Sequence, residues 1–427
     1  MAYTTVDLIE VIYNGKTVGA VTADTRTQFF AFEYAPEWLR GNTHLAPLTL
    51  TNRRGPRVFP NLAVDTYQRL PAMLADALPD RFGHSLIDAY LAREGVSRSS
   101  ITPLDRLAYL GRHAMGALEF LPMTGPETPA GTAFAINTLV DEARRAVEGR
   151  FGSEHDATEG VRHLLQVGTS AGGARPKAVI AWNRATGEIR SGQMPAPAGF
   201  EQWLLKFDGV GKDFELGDTG HFGRIEYAYS LMAREAGINM TECRLLTEGG
   251  RAHFMTRRFD RPDGAAKRHV QSLCAMAELD FQQRDVHDYA QLLRVIDDLG
   301  LGANTREQAF RRAVFNIAAS NCDDHTKNHA FTFDETGVWD LAPAFDITHA
   351  HNPQGIWTSR HLMGVDGIFY DAGRDHLLKF ADRFAVPRPK QIIDDINTAI
   401  AAWPDFARSA KLPAKPTRQI HRDLRHI

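Results

Sequence analysis

The stretch NCDDHTKNHAF, residues 321–331, places carboxylate, amide, imidazole and ammonium groups within one short run. This run is too polar for a core segment. It is compatible with a metal site, a hydrolase site or a phosphoryl-transfer loop, because each needs ligands or proton acceptors at close spacing. The segments on either side of it decide among these chemistries.

Helical periodicity before the stretch predicts a helix from near Asn304 to about Ala319, with Glu307 completing a capping box. After it, HAFTF and VWDLAPAFDI flank the turn DETG and predict a β-hairpin. The polar stretch is therefore a loop between a helix and a hairpin. Folding the hairpin at 335–336 should bring its two flanking segments together.

This hairpin would place Asn328 beside Asp346, close to Asp323. Phosphoryl transfer from ATP needs one carboxylate for the nucleophilic hydroxyl, and an amide and a second carboxylate for Mg²⁺. The spacing Asp-x-x-x-x-Asn, with a later Asp, matches the protein-kinase catalytic loop and its metal-binding aspartate. DDHTKN also resembles the Asp-x-His-x-x-Asn loop of phosphatidylinositol kinases.

Two other interpretations of the stretch stay open. His325 and His329 are four residues apart, as zinc ligands on one helical face would be. The strand pattern after Asn328 disfavours a shared helical face, and with it a zinc hydrolase. The stretch could also be a solvated connector with a purely structural role.

A glycine-rich segment lies in the first half of the chain, in VGTSAGGARPKAVIAWN, residues 167–183. Gly172 and Gly173 would let backbone N–H groups approach phosphate oxygens without a Cβ clash. The order differs from a Walker loop, and an ordinary hairpin turn is the alternative. Lys206, in the middle of the apolar strand WLLKFDG, would need an anion such as a nucleotide phosphate, with Glu226 as its positioning partner. The alternative is that Lys206 simply points outward to solvent.

The first half is strand-rich, beginning with the hairpin pattern LIEVIYNGKTVGAVTA, and the second half is helical. This order predicts an α+β, two-lobed protein-kinase-like (phosphatidylinositol-kinase-like) fold with a β-rich N-terminal lobe and a helix-rich C-terminal lobe. We expect an N-terminal subdomain at 1–125, a kinase N-lobe at 126–258 and a helical C-lobe at 259–427.

The bulk composition narrows the class of protein. A net charge of −3 gives no overall basic surface for nucleic acid or membranes. The three cysteines form no CxxC pair, which fits a reducing cytosol. The N-terminus lacks the pattern of a signal peptide and no apolar run is long enough to span a bilayer. We therefore expect a cytoplasmic protein without a membrane segment.

These motifs together resemble those of the HipA family, serine/threonine kinase toxins of type II toxin–antitoxin modules. FAFEYAPEWL and YLGRHAMGALEFLP resemble its N-terminal subdomain, GTSAGGARPKA its phosphate loop and RRFDR its inter-lobe segment. NCDDHTKNHAF resembles its catalytic loop and LAPAFDI its metal-binding segment. The resemblance spans nearly the whole chain.

The resemblance implies roles for individual residues. Asp323 would be the catalytic carboxylate, with Asn328 and Asp346 holding Mg²⁺. Ser170 would be autophosphorylated, although Thr169 is adjacent to it. The expected ATP contacts are Gly172, Gly173, Ala174, Arg175, Pro176, Lys177, Lys206, Arg257, Arg258, Phe259, His325, Lys327 and Phe345. Arg257 stands where the family often has an acidic residue.

The resemblance also implies partners. These are a small helix-turn-helix antitoxin resembling HipB, through which DNA would mainly be contacted, and a protein substrate in translation. The substrate would be an aminoacyl-tRNA synthetase, notably the glutamyl enzyme, and the antitoxin complex could contain a homodimer. A catalytically silent co-repressor, and a small-molecule or lipid kinase on the same scaffold, are the alternatives.

Overall fold

A computed structural model describes residues 5–24, 29–126, 133–148, 164–165, 176–210, 212–213, 216–218, 220–262 and 266–427. The chain divides into two compact units. The first contains Met1–Gly211, Met255–Gln271 and Asp334–Gly337, and the second contains Lys212–Phe254, Ser272–Phe333 and Val338–Ile427. The three domain ranges expected from the sequence stay predictions. Among the described helices, none has the length and apolarity needed to cross a membrane.

The predicted N-terminal hairpin is confirmed, and it forms the centre of a four-stranded antiparallel sheet in the first unit. Its turn residues Asn14 and Gly15 both have positive φ, as the Asn-Gly turn of a tight hairpin requires. Alternate residues of the first strand point into the core, so one face of the sheet is buried. The strands follow in the order Phe30–Tyr34, Lys16–Ala23, Leu8–Tyr13, Leu118–Leu121.

Helices accompany this sheet. Pro103–Leu110 begins with a capping box in which Thr102 and Asp105 exchange hydrogen bonds, and Asp105 also accepts a hydrogen bond from the Val6 N–H at 2.9 Å. One buried carboxylate thus fixes both the start of a helix and the N-terminal segment. The other helical segments here are Trp38–Arg40, Val64–Tyr67, Ala72–Ala75, Arg81–Arg93, Arg98–Ser100 and Ile136–Glu148.

A second antiparallel sheet in the first unit contains the strand that follows the glycine-rich segment. Lys177–Asn183 pairs with Phe200–Lys206 along its whole length, so that Lys177 and Lys206 lie opposite each other. Ile189–Ser191 and Ala133–Phe134 extend the sheet on the other side. Lys206 is the last residue of its strand rather than a central one. The strand Arg251–Arg257 carries the chain from the second unit into the first.

The second unit is mainly helical, as predicted for the second half of the chain. Tyr229, Phe315 and Trp403 form the centre of its core, with ring centroids 5.3 Å apart for Tyr229–Trp403 and 6.5 Å for Tyr229–Phe315. Its helices are Phe222–Glu235, Leu273–Met276, Tyr289–Asp298, Ala303–Ala318, Thr326–Asn328, Arg374–Arg383, Pro389–Ala401, Trp403–Ser409 and Ala414–Asp423. Its strands include Cys243–Glu248, Ala330–Phe333, Trp339–Leu341, and the parallel pair His287–Asp288 and Met363–Gly364.

The predicted helix before the polar stretch is present as Ala303–Ala318, but its predicted capping box is wrong. Gly302 occupies the N-cap position, and no side chain caps the helix. The Glu307 carboxylate instead lies 3.2 Å from Arg311 Nη2 and 2.7 Å from Arg388 Nη2. One ion pair within the helix and one tertiary ion pair therefore hold the carboxylate that a capping box would have needed.

Stability of the first unit should depend on pH through His269. This side chain is buried, with Nε2 3.0 Å from the Leu45 carbonyl oxygen, and burial lowers its pKa from 6.5 to about 4 despite that contact. At a pH between about 4 and 6.5, His269 is protonated in the unfolded chain but not in the folded one. The free energy of unfolding therefore falls as pH drops below 6.5. Between pH 7 and pH 5 this single site should cost about 2 kcal/mol.

His269→Gln tests this expectation, because a glutamine amide can still donate to the Leu45 carbonyl while it carries no titrating proton. Urea unfolding at pH 7 and pH 5 gives the free energy of unfolding for both proteins. The loss on acidification should be smaller in the variant by about 2 kcal/mol. Equal losses in the two proteins would contradict the assignment.

Candidate active site

The polar stretch follows the helix Ala303–Ala318 and contains two adjacent aspartates, Asp323 and Asp324, which differ in exposure. The Asp323 side chain is 51% exposed, whereas that of Asp324 is fully buried. Ser320 turns the chain out of the helix with φ of +51°. Of the two adjacent aspartates, Asp323 is therefore the one that a substrate can reach.

The buried Asp324 side chain fixes the stretch through hydrogen bonds to the core. Its Oδ2 accepts a hydrogen bond from the Tyr289 hydroxyl at 2.7 Å and lies 3.1 Å from His361 Nδ1. Its Oδ1 accepts from the Leu362 and Met363 N–H groups at 2.8 and 3.3 Å. A buried carboxylate is stable only when its acceptor sites are filled in this way. Asp324 thus fixes the backbone that presents Asp323.

The hydrogen-bond network continues from Tyr289 into the preceding helix. The Asn316 amide donates to the Tyr289 hydroxyl oxygen at 2.9 Å, and the Asn321 amide donates to Asn316 Oδ1 at 3.0 Å. None of these three residues was among the site residues predicted from the sequence. The available signal was Asn316, an amide among the apolar residues at the end of the helix Ala303–Ala318, because a buried amide needs buried partners.

Asn328 and Asp346 line the same pocket. The hairpin that brings them together is confirmed, with Phe331 opposite Leu341 and Phe333 opposite Trp339. Asn328 lies in the single turn Thr326–Asn328, and its Nδ2 donates to the Asp323 carbonyl oxygen at 2.8 Å. The amide nitrogen is thus engaged, and the amide oxygen is the atom suited to a cation.

Asp346 has φ of +52°, a left-handed conformation that costs energy for a residue other than glycine. Such strain persists only where contacts with the surrounding structure fix the conformation, and it is common at functional sites. Arg312 also lines the pocket; its Nη2 donates to the Ala342 carbonyl at 2.6 Å, and burial lowers its pKa to about 10, against the effect of Asp340. The guanidinium is charged at neutral pH and offsets the carboxylates around it.

The donor set of this pocket fits Mg²⁺. An amide oxygen and a carboxylate oxygen are hard ligands of the kind that Mg²⁺ takes, with water and phosphate completing the octahedron. Within the described ranges, no three His, Cys, Asp or Glu side chains converge as metal ligands. A site made of one amide and one carboxylate is consistent with that result.

The histidines of the stretch are arranged differently from a zinc pair. The turn Thr326–Asn328 separates them, and His329 is extended with φ of −118° and ψ of 131°, so they do not share a helical face. His329 is buried against the Tyr289 ring, and burial and Arg312 lower its pKa to about 3. His325 packs on Phe281 at 5.3 Å between ring centroids. His329 therefore packs in the core, whereas His325 also has its Nε2 4.0 Å from Asp323 Oδ1.

Phe281 is a second residue that sequence analysis missed. Lys327 Nζ lies 4.8 Å from the centre of its ring, on which His325 also packs. A cation near an aromatic face is attracted by the ring quadrupole. Phe281 therefore orders two side chains that the resemblance assigns to ATP.

The glycine-rich segment lies outside the described residues for Ser170, Thr169 and the run Gly172–Arg175. Lys177, just after it, is buried with its Nζ 3.5 Å from Asp80 Oδ2. Burial raises the pKa of Asp80 to about 6, and Lys177 opposes that shift. Lys177 thus has a carboxylate partner in this structure, whereas the sequence predicted a phosphate of ATP as its partner.

The expected adenine contacts around Arg258 include a buried ion-pair network. Arg258 binds the Asp260 carboxylate through Nε and Nη2 at 2.9 and 2.6 Å, and Arg261 Nη1 lies 2.8 Å from Asp260 Oδ2. Burial alone would raise the pKa of Asp260, but the two arginines lower it well below its usual value. The Arg258 guanidinium is therefore held by Asp260, whereas Arg257 and Phe259 are half-buried.

The remaining expected site residues belong to different elements of the chain. Lys206 is half-buried at the end of its strand in the first unit, and Glu226 is buried in Phe222–Glu235 of the second. Their pairing stays a prediction. Phe345 is half-buried and lines the pocket of Asn328 and Asp346.

Comparison with known proteins places the chain in a family. A sequence profile described as HipA-like C-terminal domain matches residues 169–403, more than half of the chain, and one described as HipA N-terminal domain matches residues 9–121. The chain belongs to the HipA family. The family expected from the sequence motifs is thereby confirmed.

Individual HipA relatives are distant in sequence. The serine/threonine-protein kinase toxin HipA of Shewanella oneidensis is 21% identical over 352 residues, which cover 77% of this chain and 72% of the relative. A solved complex of HipA, HipB and operator DNA from Shewanella oneidensis matches with a TM-score of 0.67 at 16% identity, covering 97% of this chain and 96% of the solved one.

A second solved structure, the Helicobacter pylori proinflammatory kinase CtkA, covers 52% of this chain and 88% of its own, at 11% identity and a TM-score of 0.33. The HipA structure matches over nearly the whole chain and therefore identifies the fold. The α+β, protein-kinase-like fold class expected from the sequence is confirmed.

Proposed function

We propose that this HipA-family chain is an ATP- and Mg²⁺-dependent protein serine/threonine kinase and the toxin of a toxin–antitoxin module. One observation carries the proposal: the exposed Asp323 is bonded through its own carbonyl to Asn328, which shares a pocket with Asp346. Phosphoryl transfer needs a reachable proton acceptor next to oxygen ligands for a cation, and the loop supplies both.

Asp323 would accept or orient the proton of the substrate hydroxyl. Asn328 and Asp346 would hold Mg²⁺, which, when bound, neutralises charge on the phosphates. The buried Asp324 keeps Asp323 in place, since its hydrogen bonds fix the adjacent backbone. Lys206 and the stretch 172–177 would contact the phosphates of ATP, and Ser170 would be the autophosphorylated residue.

The partners belong to the same proposal. The protein substrate would be a translation protein, such as the glutamyl-tRNA synthetase, modified on a serine or threonine. The solved Shewanella complex contains HipA with HipB and operator DNA. We propose a HipB-like helix-turn-helix antitoxin for this chain, with DNA contacted mainly through the antitoxin and a homodimer possible within that complex.

Asp346→Asn tests the metal part of the proposal. The variant keeps the size of the side chain and removes one anionic ligand, so phosphoryl transfer should fall by about 10²-fold or more. Incubation of purified protein with labelled ATP and increasing Mg²⁺, followed by mass spectrometry of residues around Ser170, measures the transfer. Glu335→Gln, at the exposed turn of the same hairpin, is the matched control.

Three outcomes of that experiment, repeated with a HipB-like antitoxin and with lipid and small-molecule acceptors added, separate the candidate functions. Incorporation into Ser170 in wild type and in Glu335→Gln, but not in Asp346→Asn, supports the kinase. No transfer by wild type, with antitoxin binding retained, would indicate a silent co-repressor. Transfer to a lipid or small molecule alone would indicate the other kinase class.

A further inference from the structure

The two loops of the candidate active site are joined by a short ladder of hydrogen bonds. The Cys322 N–H donates to the Ala350 carbonyl at 3.0 Å, and the Ala350 N–H donates to the Ser320 carbonyl at 3.2 Å. Asn321 and Ala350 form an isolated parallel bridge. The segment leading into Asp323 is thus attached to the segment that follows Asp346, and the relative position of the two carboxylates depends on this attachment.

Asp423, the last residue of the helix Ala414–Asp423, contacts both of these segments. Its carbonyl oxygen accepts a hydrogen bond from the Ser320 hydroxyl, at the base of the catalytic loop. Its carboxylate Oδ2 lies 2.9 Å from His349 Nε2, and Oδ1 lies 3.9 Å from His351 Nδ1. One residue therefore spans the ladder and holds the side chains on either side of Ala350.

The backbone around Asp423 is itself fixed. Ile420 is buried, and the Arg425 N–H donates to the Ala318 carbonyl at 2.8 Å, which ties the chain to the end of the helix before the catalytic loop. The Arg425 guanidinium pairs with Asp371. Asp423 is thus held by contacts on both sides of it, and a residue held in this way can constrain the loops that it touches.

We propose that Asp423 is a positioning residue that sets the separation of Asp323 and the metal ligand Asp346 by clamping Ser320 and His349. The kinetic part of this inference rests on the proposed kinase function. Small errors in the placement of reacting groups are costly, with about 10²-fold lost for a displacement of ~1 Å. Loss of the clamp should therefore affect metal use and turnover more than the binding of ATP.

Asp423→Asn is the test, because it keeps the carbonyl that Ser320 uses and removes the charge that faces His349. In the full-length protein, the Mg²⁺ concentration for half-maximal activity should rise, or kcat at saturating Mg²⁺ should fall, by about 10–100-fold. KM for ATP at saturating Mg²⁺ should stay unchanged. Asp405→Asn, an exposed carboxylate on the neighbouring helix Trp403–Ser409, should leave all three constants unchanged.

Amide hydrogen exchange gives a readout that does not need kinase activity. The amides of Cys322 and Ala350, which form the ladder, should exchange faster in Asp423→Asn, whereas those of the hairpin strands Ala330–Phe333 and Trp339–Leu341 should not. Unchanged exchange at Cys322 and Ala350 would overturn the clamp. Faster exchange with unaltered kcat and Mg²⁺ dependence would overturn the positioning role. Absence of transferase activity in the wild-type protein would contradict the proposed function. The exchange rates of Cys322 and Ala350 would still show whether Asp423 holds the two segments together.

Discussion

Replacing Asp323 by asparagine is expected to lower phosphoryl transfer by about 10²–10⁴-fold, the range for loss of a positioned proton acceptor. The amide keeps the size and the hydrogen-bonding shape of the carboxylate but cannot take the proton of the attacking hydroxyl. Asp324 cannot replace it, since both of its oxygens are engaged with Tyr289, His361 and two backbone N–H groups. The Asp323 side chain is 51% exposed, whereas that of Asp324 is fully buried.

The same variant should leave stability nearly intact, within about 0.5 kcal/mol, as for most exposed substitutions. Three measurements therefore belong together: incorporation from labelled ATP, growth after induced expression, and urea unfolding. Asp297→Asn, at a 43% exposed carboxylate on the helix Tyr289–Asp298, is the control for the charge change. Growth arrest that persists in Asp323→Asn would contradict a toxicity based on phosphoryl transfer.

The position of the stretch 321–331 between a helix and a hairpin was predictable because its neighbours are regular. A helical period followed by two alternating segments and a DETG turn fixes the pairing of the hairpin, and that pairing brings Asn328 to Asp346. Local pattern and tertiary structure agree here. The expected family and fold class followed from the same motifs, and both were confirmed.

The roles of charged residues were harder to predict, because each charged side chain has several possible partners. Glu307 matches a capping box by spacing, yet Arg388 and Arg311 bind its carboxylate. Arg258 belongs to a motif expected at adenine, yet Asp260 holds its guanidinium. Spacing specifies which residues are near one another along the chain, whereas the folded environment of each residue decides which of the possible ion pairs forms.

Asp323 and Asp324 are adjacent in sequence, and they too show that the role of a charged residue is hard to predict from the sequence. No property of the dipeptide distinguishes a catalytic carboxylate from a structural one. The difference arises because Tyr289 and His361, 35 and 37 residues from Asp324, converge on one of the two. The spacing to Asn328 favours Asp323 as the proposed catalytic carboxylate. The burial of Asp324 supports that assignment, because a buried carboxylate cannot reach a substrate.

Asp324→Ala is expected to lower the free energy of unfolding by about 3–5 kcal/mol, a large part of the stability of a typical domain. The change leaves the Tyr289 hydroxyl, His361 Nδ1 and the Leu362 and Met363 N–H groups without their buried acceptor. Each unsatisfied buried group costs about 1–3 kcal/mol, partly recovered where water enters or the chain relaxes.

Asp324→Asn should cost less, about 1–2 kcal/mol, because the amide oxygen still accepts from the two backbone N–H groups. Its NH₂ group can donate to the Tyr289 oxygen and, after exchange of tautomer, to His361 Nδ1. Urea unfolding of the two variants at pH 7 measures the difference. Equal destabilisation by alanine and asparagine would contradict this account and would mean that the charge, rather than the set of accepted hydrogen bonds, holds the catalytic loop in place.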